Sequence, residues 1–158
     1  MKKFSALLSS IVIVSALSSC AGANMGKSAM AIGEVSQQQL IDNYQHFAQS
    51  YQSFKLSTDD LTDIASWPND LHIEVYFGTW CHDSQREVPR FLKIMSQKPT
   101  LSNRLVALDY EKSEPKGSAK HHDIKFTPTF IVYKNNQEVG RIIERPKVSL
   151  AADISAML

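Results

Sequence analysis

Cysteine is scarce in this chain: Cys20 and Cys81 are the only two among 158 residues. Two thiols allow at most one intramolecular disulfide and leave no room for a thiolate-rich metal site. Neither sign of charge prevails. The 17 Lys and Arg against 16 Asp and Glu give a net charge of +1, so there is no basic excess of the kind that binds nucleic acid. Aromatic residues do not interleave with Lys/Arg runs, and no internal repeat is visible. No apolar run reaches the roughly 20 residues that a membrane-spanning helix needs. The best candidate, residues 4–17, is short and serine-rich. Hydrophobic residues at 43% and charged residues at 21% are the balance of a globular rather than a disordered chain. The length suits one domain with a real core.

The N-terminus has an address instead of a span. Met1-Lys2-Lys3 followed by the apolar stretch 4–17 reads as a signal peptide over residues 1–19. It ends in Leu17-Ser18-Ser19-Cys20, which resembles the lipobox of bacterial lipoproteins. The resemblance implies cleavage before Cys20 and a diacylglyceryl thioether on its sulfur, hence a membrane anchor. Ala21 stands where an Asp would retain the protein in the inner membrane, which points to the outer membrane, facing the periplasm. Residues 20–35 are then the lipidated Cys and a small, polar, flexible tether, and residues 36–158 the folded domain. Gly26-Lys27-Ser28 lacks the spacing and the preceding strand of a phosphate-binding loop. With Cys20 lipidated, Cys81 is the one thiol of the exported domain. A leftover Cys in an oxidising compartment marks intermolecular pairing or a reactive thiol.

Ser36, with Gln39 three residues on, opens a helix with Leu40, Tyr44, Phe47 and Tyr51 at helical spacing. Residues 51–57 alternate and predict a short strand. Thr58-Asp59-Asp60 starts a helix that Pro68 closes. Leu71-His72-Ile73-Glu74-Val75-Tyr76-Phe77 is β-branched and aromatic, a strand. Residues 84–97 place Val88, Phe91, Leu92 and Met95 on one helical face despite Pro89, which removes a backbone donor and should kink the helix. A strand over 104–110, a loop or weak helix over 111–120, a hairpin of 130–133 and 138–143, and a helix from Ser149 complete the order. Strands alternating with helices and ending in a hairpin predict an α/β fold with a mixed sheet.

Between the strand and the helix lies Gly78-Thr79-Trp80-Cys81-His82-Asp83-Ser84. A helix N-terminus stabilises a thiolate, as do a neighbouring His82 and a hydrogen bond from Ser84; Asp83 opposes them and Arg86 offsets Asp83. Ser84-Gln85-Arg86-Glu87 also fits a capping box, so Ser84 has a purely structural reading as the start of the helix.

Trp80-Cys81-x-x-Ser84 after the central strand and Thr127-Pro128-Thr129 before the hairpin resemble the thioredoxin superfamily. Pro89, eight residues beyond Cys81, and Asp109 agree with that pattern. The resemblance covers residues 51–158 and implies a thioredoxin fold: a central mixed β-sheet flanked by helices, here with an extra N-terminal helix. It further implies that the Thr127–Pro128 bond is cis, that this loop lies against Cys81, and that Thr127 and Pro128 dock an extended substrate. Trp80 would supply an apolar platform beside the sulfur.

Two residues depart from the family. Ser84 replaces the second Cys, and Val75, six before Cys81, replaces a buried acid; Glu74 points to the other sheet face. A lone thiolate can attack a disulfide, but Ser84 cannot resolve the product, so a partner thiol must. The expectation is a monothiol thiol–disulfide oxidoreductase or isomerase acting through intermolecular mixed disulfides with protein or small-molecule thiols. Isomerisation, adduct removal and client trapping are all open to such a site, with Cys81 as nucleophile and Ser84, Trp80, His82, Asp83 and Arg86 around it. No cofactor is expected. The alternatives are a non-catalytic peptide-binding or chaperone-like module with an incidental Cys81, and a metal carrier using Cys81 with His82, His121 and His122. The metal reading is disfavoured because adjacent histidines point apart.

Overall fold

A computed structural model of the chain describes residues 29–158. The expected signal peptide, Cys20 and residues 21–28 lie outside the described residues.

Five strands form one mixed sheet: β1 (Gly33–Glu34), β2 (Leu71–Phe77), β3 (Ser102–Ala107), β4 (Thr129–Lys134) and β5 (Gln137–Ile143), in the order β1-β3-β2-β4-β5. β2 runs parallel to β3 and antiparallel to β4, β4 and β5 form the hairpin, and β1 lies antiparallel to β3. β2 is the middle strand, which is why it is nearly all apolar. Leu71, Ile73, Val75 and Phe77 enter the larger core, while Tyr76 enters a smaller one with Val106, Leu108, Ala119, Ile124 and Ile131. Period-2 alternation thus sends Val75 to the core and Glu74 to the opposite face. There Glu74 accepts from Tyr76 Oη at 2.7 Å and from Arg104 Nη1 at 3.4 Å.

The helices are α1 (Gln37–Asn43), α2 (Gln45–Ser53), α3 (Thr58–Ser66), α4 (His82–Met95), α5 (Ser118–His121) and α6 (Leu150–Ser155). Ser36 caps α1 with the expected Gln39 box, and Ser57 and Asp60 cap α3 in the same way. Asp60 also accepts from Ser149 Oγ at 2.6 Å, and Ser149 is the N-cap of α6. One carboxylate therefore ties the starts of two helices 89 residues apart. Leu40, Phe47, Ile64, Val88, Phe91 and Leu92 bury their helix faces on one side of the sheet, where the rings of Phe91 and Phe130 lie 5.6 Å apart.

Three local expectations are corrected. Residues 51–57 form no strand, because the apolar spacing of Phe47 and Tyr51 keeps α2 helical to Ser53, with Phe54 N–H still donating to Ser50. Gly33 and Glu34, expected in the tether, pair with Ala107 and Val106, and Val35 N–H donates to Leu105. They join the sheet because β3 otherwise presents a bare edge. The central helix begins at His82, not at Ser84, so Ser84 lies inside the helix and is not its cap.

Candidate functional site around Cys81

The site forms where β2 ends. Cys81 N–H donates to Gly78 at 3.1 Å, closing a turn, and Cys81 is the N-cap of α4, with Gln85 N–H donating to its carbonyl at 2.9 Å. The 14-residue α4 therefore points its N-terminus, the positive end of its dipole, at the sulfur. Gly78 is required by a close approach: a Cβ there would meet the Trp80 indole at 2.6 Å. The ring lies back over Gly78, donates from Nε1 to the Leu108 carbonyl at 3.0 Å, and packs on Tyr110 with centroids 4.8 Å apart. Thr79 is buried and pinned twice, its hydroxyl accepting from Ala31 N–H at 3.2 Å and its carbonyl from Gln85 Nε2 at 2.9 Å.

The Thr127–Pro128 bond is cis. Cys81 is half-buried, and its thiol donates to the Thr127 carbonyl at 3.1 Å. The Trp80-Cys81-x-x-Ser84 and Thr127-Pro128-Thr129 motifs thus meet at one sulfur. Ser84 is fully buried, and its Oγ accepts from Gly78 N–H at 3.2 Å. It braces the turn from within the helix; the expected Ser84 hydrogen bond to the sulfur is replaced by the Thr127 contact. His82 lies beside Cys81 but exposed. Asp83 Oδ1 lies 2.7 Å from Arg86 Nη2, a charge contact off the hydrogen-bonding direction, while Arg86 Nε donates to buried Glu87 at 2.6 Å. The hydrogen bond to Glu87, with help from Asp83, holds the Arg86 guanidinium above its ordinary range. The negative charge of Asp83 therefore has a cation against it, as expected from sequence.

Several rim residues had no signal in the sequence. Tyr110 and Phe126 are large, exposed and apolar, the first stacked on Trp80 and the second one residue before Thr127. Glu144 N–H donates to the Pro128 carbonyl at 2.7 Å, and Arg145 Nε approaches Asp83 at 4.0 Å. Tyr110, Glu144 and Arg145 depend on contacts across the fold. Of the three histidines weighed as metal ligands, His82 and His121 are exposed, and His122 faces Glu74 and Tyr133 on the other side of the sheet. Among the described residues no group of three His, Cys, Asp or Glu side chains is placed to hold a metal ion, and no helix is long and apolar enough to cross a membrane.

The family model described as Thioredoxin matches residues 31–154. Thioredoxin H9 of Arabidopsis thaliana is 27% identical over 104 residues, covering 66% of this chain and 71% of the relative. Mitochondrial thioredoxin-3 of Saccharomyces cerevisiae is 28% identical over 98 residues, covering 59% of this chain and 74% of the relative. A solved structure of a Pseudomonas aeruginosa protein of unknown function superposes with a TM-score of 0.62 at 16% identity, covering 80% of this chain and 92% of that one, a likeness of fold.

Proposed function

The chain belongs to the thioredoxin family, whose chemistry is thiol–disulfide exchange, and from that membership we propose that it works with a single nucleophilic thiol through intermolecular mixed disulfides. The observation that carries the reading is the placement of Cys81. Its sulfur sits at the N-terminus of α4, half-exposed and against the Thr127 carbonyl, and the helix position three residues on holds a buried Ser84.

In the reaction, Cys81 gives up its proton and its hydrogen bond to Thr127, and its sulfur attacks one sulfur of a client disulfide. The new bond joins Cys81 to the client; the client's S–S bond breaks, and the leaving sulfur departs as a thiolate that takes up a proton. The electron count of the pair is unchanged. Release then requires a second thiolate, from the same client, a small thiol or a partner protein, to attack the mixed disulfide, because the Ser84 hydroxyl forms no stable bond to sulfur. The chain's residues hold the partners in place: Trp80 and the Thr127–Pro128 loop bed the client, and Gly78, Thr79 and Ser84 hold the turn that presents the sulfur.

The lipobox at Leu17-Ser18-Ser19-Cys20 completes the proposal. It supports a domain anchored by lipid on Cys20 in the cell envelope, at the outer membrane and facing the periplasm, with periplasmic thiols and disulfides as partners.

The test is mass spectrometry of the chain purified from cells quenched with an alkylating agent. The expected result is a disulfide adduct on Cys81, a client protein or a small thiol, that is lost in Cys81→Ala, and a diacylglyceryl group on Cys20. A Cys81 recovered always as the free thiol, alkylating no faster than a model thiol, would instead make the domain a peptide-binding module.

A further inference from the structure

We propose that Arg145 selects clients, favouring a carboxylate beside the reacting cysteine; the inference rests on Cys81 being the nucleophile and names what that site accepts. The first observation is a closed circuit of contacts. Cys81 Sγ bonds the Thr127 carbonyl, the Pro128 carbonyl takes the Glu144 N–H, and Arg145 Nε reaches back to within 4.0 Å of Asp83, two residues from Cys81. Arg145 therefore stands at the first turn of α4, two residues from Cys81 at Asp83, although 62 residues separate Arg145 from Asp83 in sequence.

The second observation is the backbone that puts it there. Glu144 has φ 61, a left-handed conformation uncommon for a residue with a side chain, and Arg145 N–H closes back on the Ile143 carbonyl at 2.7 Å. This is a γ-turn with positive φ, rare and strained, and such strain persists where the surrounding structure holds it and collects at functional sites. The turn aims Arg145 at the start of α4 and leaves Ile143 half-exposed on the same lip.

The third is charge. Asp83 already has Arg86 at 2.7 Å, so the looser contact at 4.0 Å, made by an Arg145 side chain that is 69% exposed, leaves that guanidinium free to take another carboxylate. Its planar fork suits a carboxylate pair. The lip continues into an open groove of about 430 Å³ between β5 and α6, which Lys147 also lines. Asp153, on that groove, is occupied by the N–H groups of Lys147 and Val148, and Arg141 is paired with Glu138 at 2.7 Å. Among the described residues that line the groove, Arg145, with its loose contact to Asp83, and Lys147 are the cations that no carboxylate holds closely. The carboxylates near them are Asp83, which Arg86 already holds, and, by its place in the chain next to Arg145, Glu144.

The occupant is an extended client segment, its cysteine at Cys81 and an acidic neighbour on Arg145. The test uses the full-length chain and two synthetic pentapeptides, identical except for Asp or Lys flanking a cysteine activated as its 2-pyridyl mixed disulfide. Cys81 attacks the peptide sulfur, the peptide joins Cys81, and pyridine-2-thione leaves and is read by absorbance, with the Cys81→Ala chain as blank. The acidic peptide should react about three- to fivefold faster at low salt, the worth of one exposed ion pair. The advantage should shrink with added salt, fall towards parity in Arg145→Gln, invert in Arg145→Glu, and grow in Glu144→Gln. Equal rates in the native chain, or a preference that Arg145→Glu leaves unchanged, would overturn the inference while Cys81 remains the nucleophile. A Cys81 inert to both peptides and to neutral 2,2′-dipyridyl disulfide would overturn the nucleophile reading, and this inference with it.

Discussion

The thiol of Cys81 donates its hydrogen bond to the carbonyl of Thr127, across 46 residues of sequence and 3.1 Å of space. That contact joins the start of α4 to the loop leading into β4. It also separates the roles of the two residues in the Cys-x-x-Ser motif. Cys81 faces the Thr127–Pro128 loop, whereas Ser84 turns inward to Gly78 and is fully buried.

Ser84→Cys should therefore convert the site into a dithiol. Positions 81 and 84 are one helical turn apart at a helix start, and an oxidised S84C chain is expected to lose two thiols to an internal disulfide, seen as protection from alkylation. It should then reduce insulin catalytically in the presence of a small dithiol, whereas the native chain is expected to do so only at background rate. The exchange removes the hydroxyl that accepts from Gly78 N–H, at a cost of about 1 kcal/mol in urea unfolding. An S84C chain that stays reduced and inactive would show that the motif does not hold the geometry of a redox turn.

Gly78→Ala tests the Trp80 platform. The added methyl falls 2.6 to 2.9 Å from indole atoms, so the ring must leave Gly78 and with it the Leu108 carbonyl. Overpacking of this kind costs about 1–3 kcal/mol. The expected signature is a lower urea midpoint, a red shift in the emission of Trp80 measured in a Trp67→Phe background, and slower reaction of Cys81 with 2,2′-dipyridyl disulfide. An unshifted emission would mean that the ring tolerates the methyl.

Asp60 governs part of the acid response. Burial pushes its carboxyl upward, but the hydrogen bonds from Ser149 and Ser57 outweigh burial and hold it below its ordinary value. The unfolded chain then binds the proton more readily than the folded one, so this contribution is complete above the unfolded value of about 3.9 and fades as pH falls through the folded value. Asp60→Asn should lower stability at neutral pH by about 1–2 kcal/mol, having weakened the caps of α3 and α6. It should also flatten the loss of stability below about pH 4 relative to the native chain, as read by urea midpoints across that range. Equal slopes would place the acid sensitivity in another carboxylate, such as Glu138, which its hydrogen bond to Arg141 lowers in the same sense.

What was legible in the sequence was whatever a short window could encode. The apolar run 71–77, the amphipathic face of Val88, Phe91, Leu92 and Met95, and the Ser36–Gln39 box each express a local period or a local cap, and each lies where it was expected. The turn from β2 into α4 was visible for the same reason, and Cys81 with it. Tertiary structure alone decided the rest. Gly33–Glu34 is a strand only because β3 offers it an edge, and of the two local patterns that residues 51–53 carry, helical and alternating, the packing of Tyr51 beside Phe47 selects the helix. Ser84 reads from sequence as a helix cap or a donor to sulfur, and becomes an inward brace because the helix starts at His82, capped by Cys81, and Gly78 N–H lies within its reach. Tyr110 on Trp80 and Arg145 beside Asp83 join segments tens of residues apart, and the contact of Thr127 with Cys81 was expected only through the family resemblance. Periodicity has no information at that range. The chain's own order thus determined that one sulfur would stand at a helix start, and the packing of loops from three other segments decided what surrounds it.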